Sequence, residues 1–182
     1  MTANNLTGRI PPGIWSLEKL LFLFLSANKL TGEVVVDGVF GALNLLVIHL
    51  AENPKLGGPI PEGFGLLQNL GDLSLHSSNF SGKIPPSIGR LRSLRRISLD
   101  NNSLTGILPS ELGQHSPELW YISVSDNELT GPIPKGLCDN GKLEMFVAGN
   151  NRLNGSIPKS LVGCTTLTHL QLGNNTLSGR IM

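Results

Sequence analysis

The stretch Ile122-Ser-Val124-Ser-Asp-Asn127-Glu-Leu129-Thr-Gly131-Pro-Ile-Pro134 carries the signals that decide the fold of this 182-residue chain. Its asparagine recurs along the whole sequence at steps of 24 or 25 residues, usually followed by an apolar residue two positions later. The recurring positions are Asn4, Asn28, Asn53, Asn102, Asn127, Asn151 and Asn175, and Ser78 fills the one gap. The chain is therefore a series of about seven to eight copies of one unit, each called a coil below.

Each coil begins with a short β-strand. Ile122 and Val124 alternate with polar residues, which predicts a half-buried strand, and apolar pairs recur at the same two offsets in other coils. A constant step of about 20 to 29 residues with Leu at fixed offsets is typical of leucine-rich repeats. We therefore predict an α/β repeat solenoid, a right-handed superhelix with a concave parallel sheet and a convex side of 3₁₀ and irregular segments.

The recurring asparagines are expected to form a structural ladder. An asparagine amide both donates and accepts hydrogen bonds, so it can satisfy backbone groups that a turn leaves unpaired. A Gly-x-Ile-Pro element follows in several coils, as in Gly82–Pro85 and Gly155–Pro158. Glycine allows a tight turn and proline fixes the backbone, so this element should lead the chain onto the convex side.

Composition excludes several classes of function. The net charge of +1 gives no long-range attraction for nucleic acid or anionic lipid. The longest apolar run, Leu20–Leu25, is too short to span a bilayer, and no signal peptide is recognised at Met1. Residues 1–182 are expected to be one repeat array lacking caps at both ends, and hence a fragment of a longer protein or a truncated gene product.

The unit L-x-x-L-x-x-L-x-L-x-x-N-x-L-x-G-x-I-P resembles the plant-specific class of leucine-rich repeats over essentially the whole chain. That class includes receptor-like kinases, receptor-like proteins and polygalacturonase inhibitors. Segments 133–143 and 161–164 are similar to peptide-hormone receptor kinases of the HAESA-like type. The resemblance implies a glycoprotein ectodomain fragment, on the extracellular side of the plasma membrane or in the cell wall, that binds a peptide or a co-receptor. The parent protein would carry a Ser/Thr kinase domain downstream. The alternatives are a soluble polygalacturonase-inhibitor-like protein and an ice-binding repeat protein.

Outward-facing strand positions are not dictated by core packing, so they indicate the binding surface. The middle three coils combine charged, aromatic and hydroxyl side chains, which suits an extended peptide or a protein surface. The candidate ligand-binding residues are Asp72, Ser74, His76, Arg96, Ser98, Asp100, Tyr121 and Ser123. The alternative for Asp72 and Arg96 is that they only neutralise each other across neighbouring strands.

Two covalent modifications are considered. Cys138 and Cys164 lie on consecutive coils, close enough for a disulfide, although two free and partly buried thiols remain the alternative. Five Asn-x-Ser/Thr sequons are candidate glycosylation sites if the protein is secreted. They are at Asn5, Asn79, Asn101, Asn154 and Asn174.

Catalysis, metal binding and cofactors are not expected. Ser74, His76 and Asp100 have the residue types of a hydrolytic triad, but a repeat sheet provides no pocket or oxyanion donors. The basic run 90–96 has apolar members at core positions and acidic neighbours, which favours a solvated face over nucleic-acid binding. No metal-ligand spacing accompanies the cysteines. The predicted function is recognition.

Overall fold

Each coil opens with a three-residue strand, and these strands form a parallel seven-stranded sheet. The computed structural model describes residues 1–36 and 40–180. Every strand pairs with its counterparts in the neighbouring coils, which aligns Asp72 with Arg96 and Arg96 with Tyr121. This is the predicted concave sheet, in the predicted order and register. Its strands are Phe22–Phe24, Val47–His49, Asp72–Ser74, Arg96–Ser98, Tyr121–Ser123, Met145–Val147 and His169–Gln171.

A second parallel sheet, of eight strands, follows the asparagine positions. The sequence predicted one parallel sheet and a convex side of 3₁₀ and irregular segments; in addition, extended segments after the asparagines pair from coil to coil. The strands are Thr7–Gly8, Lys29–Glu33, Lys55–Pro59, Asn79–Lys83, Ser103–Ile107, Glu128–Pro132, Arg152–Gly155 and Thr176–Leu177. The convex side carries 3₁₀ helices at Pro12–Ser16, Glu62–Leu66 and Pro86–Arg90, and a single-turn α-helix at Lys159–Val162.

A continuous apolar core runs through the coils between the two sheets and the convex side. Leucine and isoleucine from the same unit positions stack on one another, as at Leu73, Ile97 and Ile122, which are all at most 1% exposed. Near the start of the chain Trp15 fills the core instead, with its ring 5.3 Å from that of Phe64. Burying each such side chain contributes roughly 1.5–3 kcal/mol, which offsets the entropy lost on ordering the coil.

The asparagine ladder links each coil to the one before it. Asn127 accepts a hydrogen bond at Oδ1 from the Leu104 N–H of the preceding coil (2.9 Å). Its Nδ2 donates to three carbonyls, those of Leu99, Val124 and Ser125 (3.0–3.1 Å). Asn28, Asn53, Asn102, Asn151 and Asn175 repeat this pattern, whereas the exposed Asn4 donates only within the first coil.

Ser78 interrupts the ladder, and an extra residue in the preceding coil compensates for it. A serine lacks the amide that would accept from the backbone N–H of Leu56. The coil before it has one extra residue at Pro54, so Leu56 turns back and donates to the Asn53 carbonyl (2.9 Å). The Ser78 hydroxyl instead accepts from the Asn53 N–H (3.3 Å). The extra residue therefore gives the Leu56 N–H the acceptor that Ser78 does not provide.

The residue before each ladder position has a left-handed backbone, with φ between 51° and 57°. Asparagine and aspartate tolerate this conformation better than other non-glycine residues. The later coils use them, whereas the earlier coils place Ala, Glu and Ser there. The eight residues are Ala3, Ala27, Glu52, Ser77, Asn101, Asp126, Asn150 and Asn174.

Cys138 and Cys164 are joined by a disulfide between consecutive coils, with their Cα atoms 5.9 Å apart. The bond closes a loop on the convex side and ties the short helix Lys159–Val162 to the preceding coil. Of the helices in the described residues, none has the length and apolarity needed to cross a membrane.

Candidate functional site

A chain of side-chain contacts crosses four strands of the concave sheet. Asp72 is at its centre, with Oδ2 3.0 Å from the Nε2 of His49 and Oδ1 3.4 Å from an Arg96 guanidinium nitrogen. The Cζ atom of the same guanidinium group lies over the Tyr121 ring, 4.8 Å from its centroid. These four side chains are only partly exposed, so the Asp72–Arg96 pair is less screened than a free surface pair. The contacts hold Arg96 and Tyr121 in one orientation.

Exposed aromatic rings extend this chain at one end. Phe22 and Phe24 stack with centroids 6.2 Å apart, and Phe24 meets the edge of the His49 ring at 5.1 Å. The two phenylalanines are 51% and 40% exposed. Large aromatic side chains are unusual at exposed positions that core packing does not need. They occupy outward-facing strand positions, but they lie outside the middle three coils from which the candidate residues were chosen.

The eight candidate ligand-binding residues fall into two groups. Asp72, His76, Arg96, Asp100 and Tyr121 are partly exposed on the concave side. The other three are the serines at the last position of their strands, and they are at most 4% exposed: Ser74, Ser98 and Ser123. This burial changes the expected role of the serines from ligand contacts to the base of the face. Ser98 donates to Asp100 (2.8 Å) and so positions that carboxylate.

The distances also bear on the alternative that Asp72 and Arg96 only neutralise each other. Asp72 and Arg96 do pair with each other, as the alternative requires. Yet the guanidinium group also lies over Tyr121, and Asp72 also faces His49, so both side chains belong to the longer chain of contacts. Pairing and partner binding are therefore compatible at these positions.

A groove of about 660 Å³ adjoins the concave sheet along the edge where the chain enters each strand. Asp72 and Arg96 line both the groove and the concave face, and Trp120 lines the groove while packing against Tyr121 with ring centroids 5.4 Å apart. Trp120 was missed from the sequence because it precedes the first residue of its strand. The signal available was a tryptophan at a position that the repeat does not reserve for the core.

The sequon asparagines Asn5, Asn79, Asn101, Asn154 and Asn174 are all exposed and lie at or after the end of the concave strands. None of the five lies on the strand-entry edge, where the groove is. The Asn101 amide donates to Ser77 (3.2 Å) and that of Asn174 to Asn150 (2.7 Å), so these two also link coils. Glycans there would cover the opposite edge.

The remaining polar clusters are structural. The pKa of the Glu111 carboxyl is lowered, first by its hydrogen bond from Arg90 and then by that of His115, on the exposed convex side. In the part of the chain that the structure describes, no group of three His, Cys, Asp or Glu side chains is arranged to hold a metal ion. The residues Ser74, His76 and Asp100 are not linked by hydrogen bonds; the His76 ring contacts Ser77 instead.

Comparisons with known proteins agree with the repeat fold. The family model "Leucine Rich Repeat" matches residues 69–91, 93–115 and 118–140. Over 61 residues, or 34% of the chain, the sequence is 41% identical to a probable leucine-rich-repeat receptor-like serine/threonine-protein kinase of Arabidopsis thaliana. Those residues are only 6% of that relative's length.

Two solved structures cover nearly the whole chain. The Arabidopsis receptor kinase HAESA, in complex with the peptide hormone IDA and the co-receptor SERK1, matches all of it at 34% identity and a TM-score of 0.92. The present chain spans 30% of that structure. A pollen receptor kinase 3 structure matches 89% of the chain at 31% identity and a TM-score of 0.78, over 77% of its own length. With its repeat period, its two parallel sheets and these matches, the chain belongs to the leucine-rich-repeat family and is similar to the ectodomains of plant receptor kinases.

Proposed function

We propose that this array recognises a peptide or protein partner on its concave face, as part of the extracellular region of a plant receptor-like kinase or receptor-like protein. The observation that carries the proposal is the chain of contacts from Phe22 through His49, Asp72 and Arg96 to Tyr121. It places two exposed aromatic rings, a paired carboxylate and a guanidinium group on one face. None of these side chains is needed by the core.

The chemistry of that face suits a partner with both apolar and charged groups. Arginine and tyrosine contribute much of the binding energy in protein interfaces, because each combines a large apolar contact with directional hydrogen bonds. Both are held by neighbours here, so little side-chain entropy is lost when a partner binds. The HAESA structure contains a peptide hormone and a co-receptor, and partners of those two kinds are proposed for this chain.

A selection with phage-displayed random peptides tests the proposal without knowledge of the natural partner. Peptides are enriched on the native array and then measured against Arg96→Ala and Tyr121→Ala. We expect each substitution to weaken the enriched peptides by at least about tenfold, the size of a moderate interface hot spot. Arg152→Ala is the matched control, because it removes an arginine that also pairs with a carboxylate, Glu128, but lies on the second sheet.

Two results would contradict the proposal. One is a set of enriched peptides that bind native protein and both concave variants equally while circular dichroism shows all proteins folded. The other is a larger loss for Arg152→Ala than for Arg96→Ala. The proposed parent is tested separately by sequencing the transcript downstream of the Met182 codon. A membrane span is expected, followed by a kinase domain if the parent is a receptor-like kinase, and a stop codon before any membrane span would refute the proposed parent.

A further inference from the structure

The groove beside the concave sheet exists because one coil lacks a side chain. The residue immediately before each concave strand is large or polar in the other coils, but it is Gly71 in the third. In chain order these residues are Leu21, Leu46, Gly71, Arg95, Trp120, Glu144 and Thr168. The backbone there does not require glycine, since a Cβ atom on Gly71 would meet nothing closer than 3.6 Å. The backbone at Gly71 could therefore carry a side chain, and the lack of one affects only the shape of the surface.

Apolar and cationic groups surround this gap. Leu46 is on one side and Trp120 on the other, each 37% exposed, and Arg92 and Arg95 are among the residues that line the groove. Neither arginine forms an ion pair or a side-chain hydrogen bond with the described residues, whereas Arg96 at the boundary is already paired with Asp72. One carboxylate without such a partner, that of Glu118, also lines the groove. Two guanidinium groups against one carboxylate leave an excess of positive charge.

We propose that this strand-entry groove, defined by Leu46, Gly71, Arg92, Arg95 and Trp120, binds an acidic segment of the partner that also carries an apolar side chain. The apolar side chain would occupy the space over Gly71, between Leu46 and Trp120. Carboxylates beside it would face Arg92 and Arg95, where a guanidinium group can form two parallel hydrogen bonds. The proposal deepens the function proposed above, because the groove continues the concave face through Asp72 and Arg96.

The positions of the sequons favour the same edge. Glycans on the five asparagines would extend from the strand-exit side and from the second sheet, leaving the strand-entry side uncovered. A partner could therefore contact the concave face and this groove together without meeting the glycans.

The test uses two short synthetic peptides, acetylated and amidated, Asp-Leu-Asp-Leu-Asp and Lys-Leu-Lys-Leu-Lys, titrated into the isotope-labelled 182-residue chain. We expect the acidic peptide to shift the indole N–H resonance of Trp120 and the lysine peptide to leave it in place. Trp15, which is 1% exposed, is the internal reference and should not move. Because each exposed charge contact contributes about 1.4- to 5-fold, Arg92→Gln with Arg95→Gln should weaken the acidic peptide by roughly 2- to 25-fold.

Filling the gap gives the sharpest comparison. Gly71→Leu places a side chain where neighbouring coils already have one, so the fold should persist and the acidic peptide should no longer shift Trp120. Thr168→Leu makes the same kind of change at the equivalent position of a distant coil and should leave binding intact. The proposal is overturned if the acidic peptide still binds Gly71→Leu, if the lysine peptide binds equally well, or if millimolar acidic peptide leaves Trp120 unmoved. Selected peptides that depend on Tyr121 but ignore Gly71→Leu would preserve the concave-face function and reject the groove alone.

Discussion

Replacing Asn127 by alanine tests how the ladder distributes its hydrogen bonds. The side chain makes four bonds, and at about 1 kcal/mol each a simple count predicts a loss of about 4 kcal/mol. The structure predicts less. The Leu99 carbonyl keeps its bond from Asn102, and the Val124 carbonyl keeps its bond from Asn151.

The third carbonyl, that of Ser125, keeps its bond from the Asn101 N–H (2.9 Å). The Leu104 N–H is then the group left without a partner. An unsatisfied, partly buried N–H destabilises a protein by about 1–3 kcal/mol, and we expect the free energy of unfolding to fall by that amount. Urea denaturation of the oxidised protein measures it, with the exposed Ser103→Ala as a control that should stay within about 0.5 kcal/mol of native.

Hydrogen exchange locates the effect. The Leu104 amide should exchange about 5- to 150-fold faster, the factor equivalent to 1–3 kcal/mol, if it exchanges by local opening. The Leu129 amide is an internal control, because its acceptor is the Asn151 side chain (2.9 Å), which the substitution leaves in place. A loss of about 4 kcal/mol or more, or an unchanged Leu104 amide, would refute the idea that neighbouring asparagines share their carbonyls.

Three further changes test other parts of the structure. Ser78→Asn alone should change the melting temperature little, whereas combining it with deletion of Pro54 should stabilise more than the two single changes added together; additive effects in a double-mutant cycle would contradict the compensation. Replacing both cysteines by alanine should lower the free energy of unfolding by about 3.5 kcal/mol, because the unfolded chain is then no longer held in a closed loop and gains entropy; urea denaturation measures this. No change would show that the bond does not constrain the chain. Arg90→Ala should raise the lowered pKa of Glu111 towards its ordinary value, followed by carboxyl NMR titration. A carboxyl whose pKa is lowered in the folded state stabilises the fold at neutral pH, and this stabilisation is lost as the pH falls through that pKa. The substitution should therefore flatten the pH dependence of stability in the acid range. An unchanged pKa of Glu111 would contradict the assignment of its cause to Arg90.

The sequence predicted the repeat architecture because the signals for it recur within every coil. The step between asparagines sets the stacking, and the alternation at Ile122 and Val124 sets the face that each strand buries. What the unit could not show was how one coil's extended segment pairs with the next, and so the second sheet was not predicted. Pairing between coils depends on carbonyl directions that no single unit specifies.

The candidate site was predicted less completely, for two physical reasons. Burial depends on packing between coils, which the sequence of one unit does not show, so Ser74 and Ser98 were taken for exposed residues although each is at most 3% exposed. The groove depends on an absence, the missing side chain of Gly71, and a search for reactive or aromatic residues passes over glycine. Trp120 was overlooked for a related reason, because it lies just outside its strand and the repeat pattern assigns that position no role.

The residue with a left-handed backbone in each coil makes the two halves of the array differ in stability. Such a backbone conformation costs an ordinary L-residue about 1–2 kcal/mol, and less for asparagine or aspartate. The last four coils have those two residue types there, and the first four do not: Ala3, Ala27, Glu52 and Ser77 occupy the position instead. Heating or mechanical tension should therefore unravel the amino-terminal half first, while the half tied by the disulfide remains wound.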